Sequence, residues 1–224
     1  MDIPVNCPYE VSYVKSGDGH ILCTYFIPEG EQKDTLIFLP SVAEEMNRCR
    51  VMVAMQARCF AQKGIGVVLV DYYGTGDSQG HFKDTDWDIW KRNVLDVCDW
   101  VEGRNLVVAG LWGLRMGALL AAEVNHENPG RFEKLVLWQP VISGQTYTTQ
   151  LLRMRMAGQM ESSGAVEKPD EVRARIQNGE AIEIGGYLFS AQLAAQLDSK
   201  KLTTYEIDSN VTVDWFESIR NREA

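Results

Sequence analysis

Three observations predict an α/β protein with a mostly parallel central sheet and helices on both of its faces. Short, unbroken apolar runs alternate with segments of helical period along most of the 224 residues. Two strand-length segments joined by glycine-rich turn residues open the chain as an antiparallel hairpin. A single long stretch, from Ser143 to about Thr204, breaks the rhythm and reads as an insertion.

The hairpin is "YEVSYVKSG" and "HILCTYFIP", joined through Gly17-Asp18-Gly19. "DTLIFLP" follows as a continuous apolar run ending at Pro40, the pattern of a strand buried on both faces in mid-sheet. Ser41 and Glu44 form an S-x-x-E capping signature, and Met46, Cys49, Val53 and Phe60 keep helical spacing until Gly64. "GVVLVD" is the next buried strand. The helix after it places Trp87, Trp90, Val94, Val97 and Val101 on one face. "NLVVAGLW" then leads into a helix from Arg115 to about His126, closed by Pro129-Gly130, and "KLVLWQP" is a fourth buried strand.

Alternation of this kind implies right-handed crossovers, with ligands received at the carboxyl ends of the strands. The polar, Met- and Arg-rich stretch after Ser143 reads as a mostly helical cap, and "VTVDWFE" returns as a strand. The expected organisation is therefore a core over 1–142, a cap insertion over 143–205, and a last core strand over 206–224 with a shortened C-terminal end.

A formal charge of −9 and a pI near 4.9 oppose a phosphate-neutralising surface, so nucleic acid is not the expected partner. No apolar run approaches the roughly 20 residues of a membrane span, and "MDIPVNCPYE" lacks a signal core; a cytoplasmic location is expected. Cys7, Cys23, Cys49, Cys59 and Cys98 show no C-x-x-C pair and are expected as reduced thiols. The scattered His20, His81 and His126 give no metal-ligand spacing, and neither a metal nor a cofactor is expected.

Two G-x-x-x-G strings compete for the role of a catalytic turn. Gly76-Asp77-Ser78-Gln79-Gly80 fits G-x-S-x-G literally, but Ser78 lies several residues beyond its strand and before polar "HFKDTD", which favours a glycine-shaped structural loop. Gly113-Leu114-Arg115-Met116-Gly117 has the strand behind and the helix ahead that a nucleophile elbow needs. At its tip stands Arg115 in place of serine.

A guanidinium stays protonated and has no hydroxyl or thiol with which to attack a carbonyl. At a helix start it suits a carboxylate or phosphate instead. The competing reading pairs Arg115 internally with Glu44 or Glu45, and the two readings are compatible. Ser41, Cys49 and Cys59 are the possible replacement nucleophiles, each also explained by capping or packing. No histidine follows His126, so a base after the last strand is missing; His81 is the histidine placed nearest the expected ligand face. Loss of the nucleophile alone costs about 10⁶ in rate, or about 8 kcal/mol. The binding candidates are Glu44, Glu45, Arg115, Met116 and His81, toward a small acyl or anionic molecule.

The strings "LPSVAEEMNRCRVMVAMQARCFAQKGIGVVLVDYYGTGDSQG", "LWGLRMGALLAAE" and "LWQPVISGQTYTTQLLRMR" resemble the alpha/beta-hydrolase family called exosortase A system-associated hydrolase 2. The similarity spans roughly residues 20 to 220. It implies an alpha/beta-hydrolase fold related to serine aminopeptidase-like and lipase-like enzymes, encoded beside exosortase and exopolysaccharide machinery. Arginine at the elbow belongs to the pattern of that family. The implied activity is hydrolysis of an ester, thioester or amide; the alternative is a non-catalytic binding or scaffold protein for an anionic ligand. The oligomeric state stays open, with pairing through an exposed sheet edge as a third hypothesis.

Overall fold

The computed structural model of the protein describes residues 7–30, 34–162 and 167–218. Its centre is a seven-stranded sheet in the order β1-β2-β4-β3-β5-β6-β9. Strands β1 (Tyr9–Ser16) and β2 (Gly19–Phe26) form the predicted hairpin, and β2 pairs antiparallel with β4 (Ile65–Val70). From β4 onward the sheet is parallel, through β3 (Asp34–Leu39), β5 (Val108–Leu114), β6 (Lys134–Trp138) and β9 (Thr212–Phe216). The mid-sheet position predicted for "DTLIFLP" holds, and β5 beside it is buried at every residue.

Period-two alternation along β3 separates two apolar layers. Ile37 and Leu39 join a large cluster with α2 (Trp87–Glu102) and α3 (Met116–Glu127), while Phe38 turns to the opposite face with α1 (Ala43–Ala61). All five apolar residues assigned to the face of α2 are buried. Asp86 caps that helix, accepting a hydrogen bond from the Ile89 N–H at 2.8 Å. The first helix departs from expectation. Its N-cap is Val42, without a side-chain cap, because the Ser41 hydroxyl turns away to donate to the Glu45 carboxylate at 2.6 Å.

The stretch after residue 142 contains α4 (Gly144–Ser162), α5 (Pro169–Gln177), a hairpin of β7 (Ile182–Ile184) and β8 (Tyr187–Phe189), and α6 (Ala191–Ser199). Its two ends meet: Ser143 and Lys201 form an antiparallel bridge, and the Leu202 N–H donates to the Ile142 carbonyl at 2.9 Å. Tyr147, Leu151, Val172, Leu193 and Leu197 from this stretch pack into the same apolar cluster as α2 and α3. β9 then closes the sheet as an edge strand, with Val213, Trp215 and Phe216 all exposed. Residues 219–224, part of the predicted shortened end, lie outside the described residues.

One polar lock secures this arrangement. The buried Glu123 of α3 accepts hydrogen bonds from Trp87 Nε1 at 2.8 Å, Lys91 at 3.2 Å, Lys200 at 2.7 Å and the Tyr205 hydroxyl at 2.5 Å. Burial pushes this carboxyl up, but the hydrogen bonds from Lys200 and Tyr205 outweigh it and hold the group below the ordinary glutamate range. Glu123 thus ties α2 and α3 to the segment that leads back to β9.

Candidate active site

The carboxyl ends of β3, β5 and β6 lie level, with Leu39 opposite Gly113 and Leu114 opposite Trp138. Between β5 and α3 the chain reverses at Arg115, with φ 55° and ψ −114°. That is a strained conformation for any residue with a Cβ. It is fixed from both sides: the Arg115 N–H donates to the Trp138 carbonyl at 2.9 Å, and the Arg115 carbonyl accepts from Val141 at 3.2 Å. The flanking glycines permit the close approach. A Cβ on Gly117 would lie 2.1 Å from the Leu39 carbonyl oxygen, and one on Gly113 would lie 2.4 Å from the Ala118 Cα. The turn predicted at 113–117 is therefore present, and α3 begins at Met116, one residue later than expected.

The Arg115 side chain spans three elements. Nε donates to Glu45 at 3.4 Å, Nη1 to the Gln139 carbonyl at 3.4 Å, and Nη2 to the Gln150 side chain at 3.2 Å. The guanidinium also lies 5.8 Å from the centre of the Tyr147 ring. Three of its bonds thus sit at or beyond the long end of the usual range, near 3.2 Å. Glu45 is better served elsewhere, by Ser41 at 2.6 Å and by the Tyr147 hydroxyl at 2.8 Å. Its carboxylate keeps two short hydrogen bonds without the arginine. The Arg115 side chain retains 30% of its exposure. Burial pushes the Tyr147 phenol far up, and the adjacent Glu45 charge adds to this, so the hydroxyl stays a donor.

Of the predicted site residues, Glu45, Arg115 and Met116 come together, Met116 fully buried directly after the turn. Glu44 does not join the ion pair; with Glu45 and Arg155 it lines a small cavity at the start of α1. His81 is an exposed residue preceding the helical turn Phe82–Asp84 and takes no part in the Arg115 cluster. His20 approaches Gln79, and His126 approaches the Glu206 carbonyl at 3.0 Å. All three histidines therefore have places other than beside Arg115.

Sequence reasoning did not assign Tyr147, Gln150 or Gln139. The first two lie one helical turn apart on α4, and only the long-range fold turns that face toward Arg115. Ser78 is structural: its hydroxyl donates to the Asp71 carbonyl at 2.6 Å and accepts from the Leu22 N–H at 2.8 Å. Gly74, Gly76 and Gly80 around it all adopt positive φ, as a glycine-shaped loop requires. Burial pushes the Cys49 thiol up and Glu45 adds to this, against a smaller opposing effect of Arg115, so it is not an activated nucleophile.

A mostly parallel sheet of this order, with a strained strand-to-helix turn at its carboxyl edge, defines a protein of the alpha/beta-hydrolase fold. Residues 30–186, well over half of the chain, match the family described as serine aminopeptidase, S33, and the chain belongs to that family. Similar solved structures include Est1E from Butyrivibrio proteoclasticus with ferulic acid bound, at 16% identity and a TM-score of 0.61, covering 86% of this chain and 72% of that one. The alpha/beta hydrolase GrgF from Penicillium sp. sh18 is similar at 17% identity and a TM-score of 0.61, covering 88% and 75%. Mouse alpha/beta hydrolase domain-containing protein 10 is similar at 16% identity and a TM-score of 0.61, covering 92% and 76%. At these identities the likeness is one of fold. Comparison with curated protein sequences gives no match. Among the described residues, no helix is long and apolar enough to cross a membrane.

Proposed function

We propose that this protein binds a small carboxylate- or phosphate-bearing molecule, with an acyl compound as the leading class, at the turn that corresponds to the nucleophile elbow of the alpha/beta-hydrolase fold. The observation that carries this reading is the loosely held guanidinium. Arg115 makes only long bonds, while its partner Glu45 keeps two short ones without it. An incoming anion therefore competes with a weak internal pair, and gains a planar donor fork beside a helix N-terminus. The segment from 143 to 205 serves as a cap, placing Gln150 and Tyr147 over the same group. The "AEEMN" and "WGLRMGALLAAE" strings support membership of the exosortase A system-associated group, in the cytoplasm.

Thermal unfolding with acetate, butyrate or inorganic phosphate tests this. A ligand at 100 times its Kd adds about 2.7 kcal/mol, which raises Tm by about 5–10 °C for a chain of this size. The rise is expected in the wild type and absent in Arg115→Ala. No rise with any of these anions refutes the reading.

A second reading, hydrolysis of an ester, thioester or amide, is favoured by the family match and by one hydroxyl. Ser41, two residues beyond β3, already donates to the Glu45 carboxylate. Turnover of p-nitrophenyl acetate that disappears in Ser41→Ala would establish this second reading and displace the binding-only one.

A further inference from the structure

On the face of the sheet opposite α2 and α3, a cavity of about 290 Å³ lies between α1 and strands β2, β3 and β4. Phe26, Phe38, Met46, Val53 and Leu69 give it apolar walls, and Arg50 and Arg58 line it from α1. The two arginines differ. Arg50 is already neutralised by Asp71 at 3.1 Å. Arg58, two turns further along the helix, lies 5.4 Å from the centre of the Phe26 ring and makes no ion pair among the described residues.

We propose that this cavity binds a short- to medium-chain alkyl carboxylate, its chain against Phe38, Val53 and Leu69 and its carboxylate on Arg58. The volume stands at the foot of the range for small-molecule sites, about 300–1,000 Å³, so the occupant is small. The apolar walls suit an alkyl chain, while Thr24, Ser41 and Asp71 line other parts of the cavity. A guanidinium fork flanked by an aromatic face recognises a carboxylate and repels an alkylammonium. Arg115 does not line the cavity; Ser41 and Leu114 do, so the two sites are neighbours with separate cations. The variants separate the two readings: Arg58→Gln acts on this cavity and Arg115→Ala on the elbow.

Cys49 lines the cavity and Cys59 does not, which supplies a reporter and an internal control. The rate of alkylation of each thiol by iodoacetamide, read by peptide mass spectrometry, is measured with octanoate and with octanol. Octanoate is expected to slow Cys49 by at least fivefold and to leave Cys59 within twofold. A hydrogen bond to a charged group carries about 1.5–3 kcal/mol, so Arg58→Gln should raise the octanoate concentration for half-protection by about tenfold or more, without changing protection by octanol. Ala54→Phe, which fills the cavity, should abolish protection by both; if that variant does not fold, the Arg58→Gln comparison decides alone. Failure of octanoate to protect Cys49, equal protection by octanol and octanoate in the wild type, or undiminished octanoate protection in Arg58→Gln would overturn the proposal.

Discussion

Arg115 occupies a backbone conformation, φ 55° and ψ −114°, that glycine adopts freely and other residues do not. Holding a side chain there costs about 1–3 kcal/mol. The contacts made by that side chain offset part of it. The Glu45 pair, at 3.4 Å with its side chains 30% and 24% exposed, contributes at most about 1 kcal/mol in the presence of solvent screening. The approach to Tyr147 at 5.8 Å adds about 0.5–1 kcal/mol, and the long bonds to the Gln139 carbonyl at 3.4 Å and to Gln150 at 3.2 Å lie at or beyond the end of the useful hydrogen-bond range and add little. Arg115→Gly removes the contacts and the strain together, and loses about 0.4–1 kcal/mol through the freer unfolded chain. These terms nearly cancel, so its stability should stay within about 1 kcal/mol of the wild type. Arg115→Ala loses the contacts and keeps the strain, and should fall about 1 kcal/mol below both. Urea unfolding followed by tryptophan fluorescence, with midpoints compared at a common slope, resolves this order. An Arg115→Gly variant less stable than Arg115→Ala, or more than about 2 kcal/mol below the wild type, would mean that the arginine is a structural clamp rather than a residue held for a ligand.

Gly117→Ala forces a Cβ to 2.1 Å from the Leu39 carbonyl oxygen; the clash should cost more than the roughly 1 kcal/mol of gained helix propensity, and a variant as stable as the wild type in urea would contradict the packing of the turn. Glu123→Gln leaves Lys91 and Lys200 facing a neutral amide, and because both lysines keep some exposure the expected loss is about 2–3 kcal/mol. The Glu123 carboxyl is held below its ordinary value when folded, so its contribution is complete above about pH 4.3 and disappears as the pH falls through the lowered value. Wild type and Glu123→Gln should therefore converge in stability on acidification, and parallel curves would refute the charged lock. Ser78→Ala should cost about 1–2 kcal/mol by removing the link between Leu22 and Asp71, with anion-induced stabilisation unchanged; loss of that stabilisation would make Ser78 part of the site.

The parallel core was legible because the central strands β3, β4 and β5 are continuous apolar runs and α2 carries a single apolar stripe. Trp87, Trp90 and Val94 announce α2 by spacing alone. The elbow was legible for a different reason: two glycines on either side of a strand-to-helix junction reflect backbone contacts too close for a Cβ. Ser41 misled because S-x-x-E satisfies a local capping pattern, whereas the fold offers its hydroxyl a carboxylate one turn along the helix. Of two adjacent glutamates only Glu45 faces Arg115, a difference set by helix phase. The partners on α4 and the lysines around Glu123 depend on contacts across many tens of residues, which no local pattern encodes.

The proposal that position 115 serves ion binding and not covalent attack is tested most directly by intact-mass measurement after incubation with an excess of a fluorophosphonate. The expected result is an unmodified chain for the wild type and for Arg115→Ser, since the first lacks a hydroxyl at the turn and the second lacks a histidine beside it. A stoichiometric adduct on the wild type, mapped to Ser41 or to any other residue around Arg115, would contradict it.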